Sequence, residues 1–158
     1  MSGTSSDRDL GLLMATSFNA FVDGLHSHLA SMGHTELRPV DGYLFRVIHE
    51  QGRATVSEVA EILGVSKQAA SQAVQSLERR GYVVVEADGD DGRRRIVRLT
   101  DRAESVRTSA IAFARSVEEE LADELGAARV AELRQSLEAL IALRADDASP
   151  LVQRLAAI

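Results

Sequence analysis

No cysteine occurs anywhere in the chain. That absence excludes disulfides, thiolate zinc sites, iron–sulfur clusters, thiol redox switches and a cysteine nucleophile. No unbroken apolar run approaches about 18 residues, so no membrane span is expected. The opening MSGTSSDRDL is polar and lacks an apolar core segment, so a secretory signal is not expected and a cytoplasmic location is. Internal repeats and low-complexity segments are missing too. So are the HExxH, P-loop and dinucleotide-binding signatures, and the acids Glu118 to Glu120 read as a solvated helical run. The sequence therefore points away from an enzyme and implies no cofactor. Prolines number two, and both Pro39 and Pro150 fall where elements should begin or end.

What is present is a 158-residue chain, 45% hydrophobic and 27% charged, sized for one domain or a small domain with helical extensions. Its formal charge is −6, a balance that looks adverse to nucleic acid. The distribution matters more than the total. Between Ser66 and Arg98 there are seven Lys/Arg against five Asp/Glu, a local +2 that leaves −8 for the remainder. The basic groups thus concentrate in one stretch while the acidic excess discourages nonspecific adhesion elsewhere.

From Leu10 the residues Met14, Phe18, Phe21, Leu25, Leu29 and Met32 recur at three- and four-residue steps, predicting a helix that Gly33 closes. A second helix should begin at Pro39, bury Tyr43, Leu44, Val47 and Ile48, and stop at Gly52. Thr55-Val-Ser-Glu58 has the form of a capping box, and the helix it starts should end at Gly64. Ser66 caps the next helix, which runs to Arg80 before Gly81. Two helices joined by a short Gly-containing turn have the layout of a helix-turn-helix. Tyr82 to Glu86 and Arg95 to Leu99 then read as a hairpin around Asp88-Gly-Asp-Asp-Gly92. A long helix follows from Thr100-Asp101 through Leu125, with Phe113, Val117 and Leu121 on one side. The last helix carries Val130, Leu133, Leu137, Leu140 and Ile141, and after Pro150 a short apolar tail is expected.

On the helix from Lys67, Ala70, Val74 and Leu77 share the face that would pack inward. Gln68, Ser71, Gln72 and Gln75 share the other, a polar face without acids. Gln and Ser both donate and accept, so they can read base edges, Gln being matched to adenine. Lys67 can neutralise a phosphate, as can the helix starts at Thr55, Ser57 and Ser66. Arg93, Arg94 and Arg95 form a basic run just past the hairpin tip. They could enter a minor groove or be neutralised by Asp88, Asp90 and Asp91, and strand alternation would set Arg94 apart from Arg93 and Arg95. His26, His28 and His34 lie close in sequence, but positions 26 and 28 point about 200° apart on a helix, so no metal site is expected.

Together, VSEVAEILGVSKQAASQAVQSLERRGYV and the hairpin ending DDGRRRIVRLT resemble the MarR family of bacterial transcriptional regulators. The resemblance spans nearly the whole chain. It implies a mainly α fold with a small β-hairpin: a winged helix-turn-helix over residues 37–100, flanked by dimerisation helices over 10–36 and 101–158. It also implies a homodimer that binds a palindromic double-stranded operator, as a repressor released by a small aromatic or phenolic effector. Residues in line to contact that effector are Phe18, Phe21, His26, His28, Tyr43, Arg46 and His49. Family members often carry Asp-x-Arg-Asp-x-Arg in the wing. Asp88, Asp91 and Arg93 fit that spacing, but Asp90 stands where the middle Arg is common, which shifts the expected minor-groove contact to Arg94. The alternative function is a winged helix used only for protein contact, whose reading face would be apolar or acidic.

Overall fold

The computed structural model describes residues 9–89 and 94–157. It consists of two units, Met1–Leu37 and Arg38–Ile158.

Local capping chemistry marks where the elements start and stop. The first unit contains α1 (Leu10–Ser31), begun by Asp9, whose side chain accepts the Leu12 N–H at 2.9 Å. It closes where Gly33, at φ 84°, lets the amides of Gly33 and His34 reach the Ala30 and Leu29 carbonyls, each at 3.0 Å.

The second unit runs α2 (Pro39–Gln51), β1 (Ala54–Thr55), α3 (Val56–Leu63), α4 (Lys67–Arg79), β2 (Val83–Ala87), β3 (Arg95–Leu99), α5 (Asp101–Leu125), α6 (Ala127–Arg144) and α7 (Pro150–Ala156). Thr55 and Glu58 form the reciprocal cap of α3. The Thr55 N–H donates to the Glu58 carboxylate at 2.6 Å, and the Glu58 N–H donates to Thr55 Oγ1 at 3.2 Å. Gly64 ends α3 in the left-handed region, and Ser66 caps α4 by accepting the Ala69 N–H at 3.2 Å. The helix-turn-helix boundaries are therefore set by side chains within four residues of each end.

The sheet has three antiparallel strands in the order β1-β3-β2, with Val83 opposite Leu99, Ala87 opposite Arg95 and Ala54 opposite Val97. The hairpin follows the sequence reading; β1 is an addition to it. Two residues cannot show a period-two pattern, and only pairing with β3 makes them a strand. The mainly α winged helix-turn-helix expected from the sequence is the fold observed.

Val59 and Ile62 of α3, Ala70, Val74 and Leu77 of α4, and Leu44, Phe45, Val47 and Ile48 of α2 are buried with Tyr82, Val83, Ile96 and Val97 of the sheet region. Each large side chain withdrawn from water here contributes about 2 kcal/mol. Phe45 takes the central place expected of Tyr43, which lies at the flank of the α2 apolar arc and is half-buried. Burial pushes the Tyr43 hydroxyl pKa up. Tyr82 packs with its ring 5.6 Å from that of Phe45, under the guanidinium of Arg102 at 4.9 Å.

Asp41 is the buried charged residue, 2% exposed, and it is fully engaged. It accepts the Arg38 N–H at 3.0 Å and an Arg38 guanidinium N–H at 3.0 Å, and lies 3.6 Å from Nη2 of Arg80. This charge links the start of α2 to the end of α4 and so fixes one end of the exposed helix.

Thr100 joins the sheet to α5: its hydroxyl donates to the Gly81 carbonyl at 2.7 Å and its Oγ1 accepts the Ala103 N–H at 3.4 Å. α6 returns along α5, tied by Arg134 to Glu118 at 2.6 Å, yet contains no buried residue. The tail expected after Pro150 is instead a seven-residue helix: Ser149 accepts the Val152 N–H at 3.4 Å and Pro150 occupies the first turn. α7 lies against α3 and α2. Among the described residues no helix is long and apolar enough to cross a membrane.

Candidate nucleic-acid interface

Burial of Ala70, Val74 and Leu77 turns the opposite side of α4 outward. That side forms one wall of a groove of about 900 Å³. Gln68, Ser71, Gln72 and Gln75 line it, with Lys67 at the amino end of the helix. Thr55 and Ser57, at the start of α3, form a second wall, and Arg94 and Arg95 at the loop end of the wing a third. Nine of the eleven residues singled out as contacting DNA thus border one concavity. Ser66 is not among its lining residues; its hydroxyl is spent on capping α4. Arg93, like Asp90 and Asp91, lies outside the described residues.

Arg94 and Arg95 line the same groove, against the expectation that they would face opposite ways. The reason is that β3 begins at Arg95 and Arg94 occupies a bend, so strand alternation does not extend back to it. The Asp88 N–H donates to the Arg94 carbonyl at 2.9 Å, which extends the hairpin ladder by one bond and sets the backbone there. Arg98, further along β3, sits 3.6 Å from Glu86 and is not part of the lining.

Val56 and Glu58 also line the groove and were not anticipated there. Their signal was adjacency: both sit in the first turn of α3, between and beside Thr55 and Ser57. Among the described lining residues Glu58 is the one carboxylate, against Lys67, Arg94 and Arg95. The hydrogen bond from the Thr55 backbone N–H holds its carboxyl below the usual range despite opposing desolvation, with Arg154 and Arg53 adding attraction. The shift favours the ionised carboxylate, and among the described lining residues the cations Lys67, Arg94 and Arg95 outnumber it. The Gln75 amide nitrogen lies 3.5 Å from the Ser71 hydroxyl, so two members of the polar face are held side by side.

The seven residues named for an effector divide between the units. Phe18, Phe21, His26 and His28 belong to α1, and Tyr43, Arg46 and His49 follow one side of α2. His49 donates from Nδ1 to Glu104 at 2.8 Å, and Glu104 also accepts from Arg107 at 2.9 Å. Burial pushes the Glu104 carboxyl up, but those two partners outweigh it and hold the group below its ordinary range. Among the described residues no group of three His, Cys, Asp or Glu is placed to hold a metal ion.

Comparison with known proteins follows this geometry. The MarR family model matches residues 37–94. The reduced form of MarR from E. coli superposes with a TM-score of 0.69 at 20% identity, covering 86% of this chain and 98% of that one. YusO from Bacillus subtilis gives 0.66 at 18% identity, covering 87% and 97%. A point mutant of MepR from S. aureus, in a structure with a bound oligodeoxyribonucleotide, gives 0.61 at 15% identity, covering 86% and 98%. No curated protein matches the sequence. Residues 37–94 thus match the MarR family model, and the chain as a whole has the fold of MarR from E. coli.

Proposed function

We propose that the protein is a sequence-specific double-stranded DNA-binding regulator of transcription that acts as a homodimer on a palindromic operator. The observation that carries this reading is the groove itself. Its uncharged hydrogen-bonding face on α4 lies between the basic start of β3 and the amino end of α3, the arrangement required to read base edges while neutralising flanking phosphates. A surface used only for protein contact would present apolar or acidic groups at these positions.

The dimer reading is supported by side chains left in solvent. Ile111, Leu121 and Leu125 of α5 and Leu133, Leu137 and Ile141 of α6 are exposed, and no residue of α6 is buried. An apolar surface of this extent is unfavourable in water and fits a second copy, as palindromic DNA requires. Repression, and release by a small aromatic effector, belong to the same reading and are supported by the family resemblance.

The test is a fluorescence anisotropy titration of the full chain against duplexes from the intergenic region beside its own gene, with a scrambled duplex as control. Preferential, salt-sensitive binding to an intergenic duplex is the expected result. Equal and weak binding to all duplexes would overturn the proposal.

A further inference from the structure

The charge pattern of the groove narrows what it can read. We infer that α4 reads A·T base pairs, through Gln68 and Gln72, at two positions in each half-site. This rests on the DNA-reading function proposed above and concerns the bases that function selects.

In the major groove guanine presents two acceptors, cytosine an amino donor, and adenine one donor beside one acceptor. Paired acceptors call for Arg or Lys, and the cytosine donor calls for a carboxylate. A carboxamide, with one acceptor and one donor side by side, matches adenine. The reading face of α4 has carboxamides at Gln68, Gln72 and Gln75 and neither a carboxylate nor a guanidinium among them. The groove's cations stand at its margins: Lys67 at the helix start, Arg94 and Arg95 at the loop end of the wing. Those places suit phosphates. Among the described lining residues the one acid, Glu58, belongs to α3 rather than α4, and one of its oxygens accepts the Thr55 amide at 2.6 Å.

Spacing selects two of the three glutamines. Gln68 and Gln72 are one helical turn apart, about 6 Å along the axis, which matches neighbouring pairs or pairs one step further at about 3.4 Å per base pair. Both project opposite the buried Ala70–Val74–Leu77 face. Gln75 has an amide hydrogen directed at the Ser71 hydroxyl 3.5 Å away, leaving it less capacity for a two-bond contact.

The experiment is binding-site selection from a random duplex pool with the full chain, repeated for Gln68→Ala, Gln72→Ala and Gln72→Arg. All three changes are at exposed positions, and circular dichroism melting confirms that each variant is folded. The wild type is expected to enrich A·T at two positions per half-site. Each alanine variant should lose roughly tenfold discrimination at one of them. Gln72→Arg should convert one position from A to G and leave the other unchanged. Enrichment of G·C at those positions by the wild type, or alanine variants with unaltered base preferences, overturns the inference while leaving DNA reading intact. No enrichment of any sequence overturns the DNA-reading function and this inference with it.

Discussion

Glu58 serves two purposes with one carboxylate. It closes the cap of α3, and it sits in the groove where a phosphate oxygen would be repelled were it not held to Thr55 and attracted by Arg53 and Arg154. Its folded-state pKa is depressed, so the stability it contributes is present above the unfolded value and is lost as pH falls through the folded one. Glu58→Gln keeps the cap's shape without the charge. Urea unfolding below the ordinary glutamate pKa of about 4.3 should show a shallower decline in stability for the variant than for the wild type; parallel declines would contradict this. Asp41, unlike Glu58, has a role visible only in three dimensions. Its partner Arg80 is 39 positions away, so no local pattern marked it as a buried counter-charge. Asp41→Ala removes the buried carboxylate that accepts from Arg38 at the start of α2 and attracts Arg80 at the end of α4, and should lower the unfolding free energy by about 2–3 kcal/mol. A urea midpoint equal to that of the wild type would count against this account of α2 and α4. At the groove margin, Arg94→Ala should weaken binding to every duplex and lower the salt slope by about one.

Elements whose limits depend on near neighbours were legible beforehand. Thr55, Gly64 and Ser66 each act within a few residues, and the helices they bound lie where the sequence put them. The inward and outward faces of α4 were legible for the same reason, since helical period alone separates Ala70, Val74 and Leu77 from Gln68, Ser71, Gln72 and Gln75. What escaped depends on distant partners. β1 is a strand only because Val97 and Ile96 lie opposite it. The bend that carries Arg94 to the same groove as Arg95 depends on where β3 begins. α7 is short, and it gains support from α3 and α2, far earlier in the chain. That packing has an expected consequence. Leu151 and Leu155 are half-buried, so removing residues 149–158 should lower the stability of the winged helix by about 1–2 kcal/mol. A calorimetric melting temperature unchanged by the truncation would show that α7 lends α3 no support.

At the scale of the whole molecule, a net charge of −6 coexists with a groove that Lys67, Arg94 and Arg95 line. On the proposed function, phosphate attraction is strongest at that groove, and the acidic excess elsewhere disfavours nonspecific contact with DNA. The apolar side chains on α5 and α6 have a different use. Sedimentation equilibrium should give twice the 17.1 kDa chain mass, and Leu133→Glu with Leu137→Glu should yield monomers with much weaker operator binding. A monomeric wild type would remove the basis for palindromic recognition.

The central claim is that the groove between α3, α4 and the start of β3 binds duplex DNA by sequence. The most direct measurement is the affinity of the full chain for an operator selected from its own intergenic region, compared with a scrambled duplex at two salt concentrations. The account predicts tighter binding to the operator, affinity that falls as salt rises, and loss of the operator preference in the Gln68→Ala/Gln72→Ala double variant. Equal affinity for both duplexes, or a preference that survives the double substitution, would contradict it.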